Sequence, residues 1–112
     1  MLIENGADVN TKDSEGRTPL HWTVVEYRRF ELAKFLIEHG ANVNAKYDDG
    51  KTLLHWACEN AVIDVVQFLA GCGANLEVKT NQGLAPLNVA AERNHLKVVW
   101  FLVRQYPELL PD

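Results

Sequence analysis

Apolar residues recur three or four positions apart in two segments of this chain, which predicts helices with one buried face. Each segment places four residues at that spacing: Leu32, Phe35, Leu36 and His39 within residues 30–39, and Val65, Phe68, Leu69 and Cys72 further along. A shorter helix is predicted before the first segment, because Thr18 suits an N-cap and Pro19 the first helical position. Gly40 and Gly73 then end the longer helices, and Gly16, Gly50 and Gly83 mark turns.

Two markers recur with the same period along the chain. Gly-Ala pairs begin at Gly6, Gly40 and Gly73, at spacings of 34 and 33 residues. A four-residue marker keeps these spacings as Thr18-Pro19-Leu20-His21, Thr52-Leu53-Leu54-His55 and Ala85-Pro86-Leu87-Asn88. One helix-turn-helix unit cannot bury its apolar face alone, so the repeat predicts units stacked into a solenoid.

These residues resemble the ankyrin family, whose repeat of about 33 residues carries a Thr-Pro-Leu-His turn and a Gly-Ala-Asp-Val-Asn tail. The tail stands here as Gly6-Ala7-Asp8-Val9-Asn10, and less closely as Gly40-Ala41-Asn42-Val43-Asn44 and Gly73-Ala74-Asn75-Leu76-Glu77. The resemblance covers about Met1 to Gln105. It implies an all-α ankyrin-repeat solenoid of stacked helix-turn-helix units with projecting β-hairpin loops.

We predict a single domain over residues 1–112, divided into a partial repeat (1–15), two full repeats (16–49 and 50–82) and a C-terminal repeat with a tail (83–112). The first full repeat has one extra residue, since Glu31 follows His21 by ten positions whereas Asp64 follows His55 by nine. We place that residue in the turn between the helices, near Tyr27 and Arg28.

The net charge limits the class of partner, and the cysteine content bears on the cellular compartment. The chain of 112 residues has a net charge of −4, which argues against nucleic acid because such binding needs clustered positive charge. Cys58 and Cys72 form neither a metal motif nor a disulfide framework, which favours an intracellular setting. The sequence signals neither export nor membrane insertion.

The histidines, which could in principle support catalysis or metal binding, are better explained by structural roles. His21 and His55 occupy the same turn position, where we expect each to hydrogen-bond near the threonine hydroxyl. His39 suits a helix C-terminus, and His95 stands at a turn that the family often builds with Gly-His. The sequence has no catalytic, zinc-binding or phosphate-binding motif, so we expect no enzyme activity and no cofactor.

The resemblance implies a protein-binding surface made of hairpin tips and first helices. Its hairpin residues are Lys12, Ser14, Glu15 and Arg17; Lys46, Tyr47, Asp48, Asp49 and Lys51; and Lys79, Asn81, Gln82 and Leu84. Its helical residues are Val25, Glu26, Glu59, Asn60, Glu92 and Arg93. Tyr47 replaces a common aspartate and is the predicted anchor, since exposed tyrosines often dominate interfaces.

Lys12, Lys46 and Lys79 share one repeat position and should form a column along the hairpins. The column either steers an acidic segment into the groove or is a solvated edge balanced by Glu15, Asp48 and Asp49. Trp22 and Trp56 share another position and are expected to pack between first helices.

Both ends of the chain suggest the last part of a longer array. Met1–Asn5 resembles the end of a second helix without its first helix, leaving a leading face without a polar cap. We expect a monomer, with end-to-end self-association through that face as an alternative. Pro107 and Pro111 should stop the array, and the tail is expected to cover Trp100, with a secondary partner site there as the alternative.

Two alternative functions stay open. The family resemblance implies asparaginyl hydroxylation at Asn10 and Asn44, each of which has a leucine, Leu2 or Leu36, eight residues earlier. The other alternative is a structural or engineered scaffold without a native partner.

Overall fold

The computed structural model describes residues 9–110, which form three helical pairs. The elements are α1 (Pro19–His21) continuing into a π-helical turn (Trp22–Glu26), α2 (Phe30–Glu38), α3 (Leu53–Glu59), α4 (Ile63–Gly71), α5 (Pro86–Glu92), α6 (Leu96–Gln105) and a 3₁₀ turn (Pro107–Leu109). Helix α3 packs against α5, and α4 packs against α6. The predicted stack of helix-turn-helix units is therefore confirmed.

The first helices begin where local chemistry predicts. Thr18 and Thr52 are extended, and their hydroxyls accept the backbone N–H groups of His21 and His55 at 3.5 and 3.4 Å. In the third repeat Ala85 has no such hydroxyl. The side-chain oxygen of Asn88 instead accepts the Ala85 backbone N–H at 3.0 Å, which satisfies one of the free donors at a helix start.

The second helices end at glycines in the left-handed conformation. Gly40 has a φ of 101°, and the Ala41 N–H reaches back to the Leu36 carbonyl at 2.9 Å. Gly73 repeats this arrangement with a φ of 87° and an Ala74-to-Leu69 bond of 3.1 Å. Both ends are Schellman motifs, which glycine adopts because it has no Cβ.

The extra residue of the first full repeat lies in the helix, so the predicted position near Tyr27 and Arg28 was wrong. The Tyr27 N–H bonds to the Trp22 carbonyl five residues back, whereas Asn60 bonds to Trp56 four residues back. The turn itself shows no insertion, because Arg28, Ala61 and Asn94 share positive φ at a constant spacing of 33 residues. A π-helical turn accommodates one added residue without unwinding the helix.

Buried aliphatic side chains run through all three repeats as one core. Its largest members are Leu20, Leu36, Leu54, Leu69 and Leu102, each exposed by 2% or less. The predicted buried face of α2 was partly wrong, because Leu32, Phe35 and His39 are exposed and Ala33 is buried. The matching face of α4 is covered by the preceding repeat, where Phe68 stacks on Phe30 with centroids 5.1 Å apart.

Three short hairpins project between the repeats, at residues 13–17, 47–51 and 80–84. Backbone bonds of 2.8–2.9 Å close each one, from Asp13 to Arg17, from Tyr47 to Lys51 and from Thr80 to Leu84. An antiparallel bridge pairs Lys46 with Thr52. The hairpins also stack closely, since a Cβ at Gly50 would lie 2.8 Å from the Asn81 backbone nitrogen.

The tail does not cover Trp100, contrary to the sequence prediction. Trp100 is 63% exposed, while Leu109 packs against the core and Tyr106 meets Phe101 edge to face. Met1–Asn5, which includes Leu2, and Pro111 lie outside the described residues. Across residues 9–110, every helix is too short or too polar to cross a bilayer.

Candidate partner-binding surface

Tyr47 joins the second hairpin to the first helix of its own repeat (16–49). Its hydroxyl hydrogen-bonds to Nδ1 of His21, and the two rings meet edge to face. Burial raises the pKa of Tyr47 well above its usual value of 10.0, so the phenol stays protonated. Tyr47 is half-buried, so the predicted anchor is held by the His21 bond while part of it remains accessible.

The second hairpin differs from its neighbours because tyrosine cannot cap its backbone. Asp13 Oδ1 accepts the N–H groups of Glu15 and Arg17, each at 2.9 Å, and Thr80 Oγ1 does the same for Gln82 and Leu84. In the second hairpin Asp49 Oδ1 accepts only the Lys51 N–H, at 3.0 Å. Tyr47 therefore bonds to the first helix of the repeat instead of capping its own hairpin.

The two turn histidines have different partners. His55 Nδ1 lies 3.0 Å from both the Thr52 N–H and its hydroxyl, which confirms the predicted pairing with threonine. Its Nε2–H donates to the Leu84 carbonyl of the next repeat at 2.9 Å. The same prediction was wrong for the His21 ring, whose Nδ1 is turned to Tyr47. Burial lowers the pKa of both imidazoles, so both are neutral near pH 7.

A groove of about 330 Å³ opens between the first two hairpins. Its lining consists of Glu15, Arg17, His21, Tyr47, Asp48 and Asp49. Five of these six residues were predicted from sequence as partner-binding residues. His21 was missed because its turn motif indicated a purely structural role, and only the replacement of aspartate by Tyr47 hinted otherwise.

The basic residues near this groove mostly form ion pairs or hydrogen bonds with other groups of the chain. Arg17 pairs with Asp13 and Glu15, each at 3.0 Å, and its guanidinium lies 4.5 Å from the Trp22 ring centroid. Lys12 Nζ donates to the Lys46 carbonyl at 2.8 Å, which links successive hairpins. The lysine column is therefore partly a structural link, and the groove carries more free negative than positive charge.

Glu59 organises the predicted surface of the first helices further along the stack. It binds Lys51 at 3.0 Å and Arg93 at 3.4 Å, so one carboxylate joins a hairpin to the next repeat. His95 Nε2–H adds a bond to the Glu59 carbonyl at 2.9 Å. Trp56 packs against the core, whereas Trp22 contacts Arg17 and His21.

The remaining predicted binding residues are mostly exposed but lie outside the groove. These are Ser14, Lys46, Lys79, Asn81, Gln82, Asn60, Glu92, Glu26 and Arg93, with Val25 and Leu84 half-buried. They provide accessible polar positions along the stack. The structure thus brings together only part of the predicted surface, at the first two hairpins.

The two candidate hydroxylation sites connect successive repeats. Asn10 Oδ1 accepts the Asn42 N–H at 2.7 Å, and its amide donates to the Gly40 carbonyl at 3.0 Å. Asn44 Oδ1 accepts the Asn75 N–H at 2.6 Å. These bonds align the segments between repeats, and hydroxylation at either asparagine stays a prediction.

The two cysteines are poorly suited to act as thiolate nucleophiles. Cys58 is fully buried, and desolvation raises the pKa of its thiol to about 12. Burial also raises the pKa of Cys72. Residues 9–110 contain no group of three or more histidine, cysteine, aspartate or glutamate side chains placed to hold a metal ion.

Comparison with known proteins agrees with the repeat architecture. A profile for ankyrin repeats (3 copies) matches residues 43–109, and a profile for ankyrin repeats (many copies) matches residues 2–57. The chain is also 73% identical over 22 residues to acyl-CoA-binding domain-containing protein 1 from Arabidopsis thaliana. That stretch is 20% of this chain and 6% of the plant protein, so the chain spans a small part of that relative.

Proposed function

This chain belongs to the ankyrin-repeat family, whose members are generally protein–protein interaction modules, and we propose that it binds a partner protein through the groove between its first two hairpins. The proposed role is non-catalytic, in keeping with the family. The observation that carries the proposal is the groove itself, where Tyr47 and His21 form a fixed aromatic wall beside three carboxylates.

The charge of the groove favours a basic side chain of the partner. Asp48 and Asp49 are exposed, and neither forms an ion pair among the described residues. Arg17 is already neutralised by Asp13 and Glu15. A lysine or arginine entering the groove would therefore meet uncompensated carboxylates, and it could also contact the Tyr47 ring.

The rigidity of the groove also favours binding. The Tyr47–His21 bond fixes an amphipathic ring before any partner arrives, so little side-chain entropy is lost on association. An aromatic residue held in this way is a common interface hot spot. The partner is therefore expected to place a basic residue against Tyr47 and to bind through few, well-positioned contacts.

A quantitative affinity pull-down tests this function. The purified chain, used as bait in cell lysate, would be compared with Asp48→Asn/Asp49→Asn, which removes two charges but keeps side-chain oxygen acceptors. The control Glu31→Gln/Glu38→Gln removes the same charge from exposed positions of α2. We expect a partner retained equally by the wild type and the control, and about tenfold less by the hairpin variant, equivalent to about 1.4 kcal/mol.

Circular dichroism would show that all three proteins are folded. Equal capture by the hairpin variant and the control would contradict the groove assignment. If nothing is captured by any of them, a scaffold without a partner in that lysate becomes the better description.

A further inference from the structure

Helix α6 exposes two large apolar side chains one turn apart. Leu96 is 66% exposed and Trp100 is 63% exposed, the highest values among the large apolar residues described. Trp22 and Trp56 are both partly buried. Since indole is a large apolar group, leaving one in water while the tail packs elsewhere suggests a binding role for this face.

The apolar stripe formed by Leu96 and Trp100 is specific to the third repeat. Lys34 and Gln67 occupy the position of Trp100 in the two preceding repeats, at spacings of 33 residues. Phe30 and Ile63, the equivalents of Leu96, are partly buried and pack against the core. The repeat pattern alone does not require an apolar stripe here.

Two cationic side chains of α6 accompany these two residues. Lys97 is exposed beside Leu96, and the Arg104 guanidinium lies 5.7 Å from the Trp100 ring centroid. The sequence of α6 contains no acidic residue, although the whole chain has a net charge of −4. The corresponding helices α2 and α4 do carry carboxylates, namely Glu31, Glu38 and Asp64.

Open hollows lie against these side chains. Leu96, Lys97, Val99 and Trp100 line a largely apolar hollow of about 390 Å³. A second hollow of about 420 Å³ also includes Leu96 and Lys97 and extends to Ile63 and His95. An apolar surface with hollows of this size offers room for an anchor residue of an amphipathic helix.

We propose that α6 binds an acidic amphipathic segment of a partner protein, with an apolar anchor between Leu96 and Trp100 and carboxylates opposite Lys97 and Arg104. Charge complementarity carries this choice, because a short acidic segment is attracted by the local cations. An extended anionic bilayer would also face the negative charge of the rest of the chain. This surface is separate from the hairpin groove, so either assignment can fail alone.

Fluorescence anisotropy with labelled synthetic helices tests the proposal. One amphipathic peptide would combine Leu with Glu, and its matched control would carry Lys in place of every Glu. We expect the chain to bind the Glu peptide at least about tenfold more tightly than the Lys peptide. Trp100→Gln and Lys97→Glu/Arg104→Glu should each weaken Glu-peptide binding about tenfold or more.

Matched variants distinguish the loss of this binding site from a loss of folding or from a change elsewhere on the surface. Trp100→Gln introduces the residue present at position 67, which suits an exposed helical site and keeps the variant folded. Gln67→Ala on α4 should leave Glu-peptide binding unchanged. Thermal unfolding would confirm that the stack is intact in each variant.

Several results would overturn the proposal. They are absence of Glu-peptide binding, equal affinity for both peptides, or unchanged binding by Trp100→Gln. Binding to anionic phosphatidylserine vesicles but not to the Glu peptide would instead indicate a membrane surface. A dimer seen by sedimentation and abolished by Trp100→Gln, without Glu-peptide binding, would indicate that a second copy covers this face.

Discussion

The Tyr47 hydroxyl hydrogen-bonds to Nδ1 of His21, and the two rings meet edge to face with centroids 5.0 Å apart. This contact joins the second hairpin to the first helix of the same full repeat (16–49) through side chains. The equivalent His55 of the next repeat (50–82) instead donates to the Leu84 carbonyl of the third hairpin. Equivalent histidines therefore bond to the hairpin that follows them through different partners, and the difference produces the aromatic wall of the proposed groove.

Replacing Tyr47 by phenylalanine should remove this hydrogen bond while keeping the ring. We expect the free energy of unfolding to fall by about 1 kcal/mol, since a typical intramolecular hydrogen bond contributes about that amount. Urea denaturation would measure the change. Tyr27→Phe is the matched control, because Tyr27 is 58% exposed, and it should have little effect. Equal stability of the Tyr47 variant and the wild type would show that the bond contributes little.

Deleting Val25 should convert the π-helical turn into a regular α-helix and leave the protein folded. When the two full repeats are aligned, the buried Thr23 and Val24 correspond to the buried Ala57 and Cys58. Glu26 corresponds to Glu59, so Val25 is the residue without an equivalent in the second full repeat. Circular dichroism and thermal unfolding would test whether stability is retained. Deleting Cys58 from α3 is the control, because it rotates all following residues by about 100° and should unfold the repeat. Unfolding of the Val25 deletion would contradict this alignment.

Stability should decrease as the pH falls below about 6.5. Burial lowers the folded-state pKa of His21 and His55 from the ordinary value of 6.5, so the unfolded chain binds protons at a pH where the folded chain does not. The free energy of unfolding therefore rises with pH across this range and levels off above it. The Asp13 carboxyl titrates at lower pH, because backbone hydrogen bonding to Arg17 lowers its pKa from 3.8.

Urea denaturation at a series of pH values would measure this dependence. His55→Asn reproduces the residue of the third repeat, Asn88, and should give a shallower slope because one titrating imidazole is gone. The variant should also be less stable at pH 7, since the bond to the Leu84 carbonyl is lost. An unchanged slope would show that His55 does not titrate differently on unfolding.

The two thiols should react at different rates with a disulfide reagent. Cys58 is fully buried with a pKa of about 12, so it should stay unmodified in the folded protein. Cys72 is partly exposed and should react first. Counting released thiolate spectrophotometrically, with Cys72→Ser as the comparison and urea-unfolded protein as the reference, would check this. Rapid reaction of Cys58 in folded Cys72→Ser would contradict its burial.

Much of the fold was determined by the sequence alone, because its signals act locally. Thr18 and Pro19 begin a first helix, and Gly40 ends a second helix, through backbone groups only a few residues away. The repeat spacing then predicts the stack, since each unit needs a neighbour to bury its apolar face. Five of the six residues lining the hairpin groove could be predicted because hairpin tips recur at fixed repeat positions.

Only the tertiary structure decided how residues distant in sequence are paired. The His21 ring was expected to pair with its own threonine but contacts Tyr47, and Lys12 binds the Lys46 backbone. The extra residue entered a helix as a π-helical turn, and the tail left Trp100 exposed. These outcomes depend on competition between contacts formed after the repeats stack. A local sequence pattern specifies which groups are available, whereas packing selects the partners that they meet.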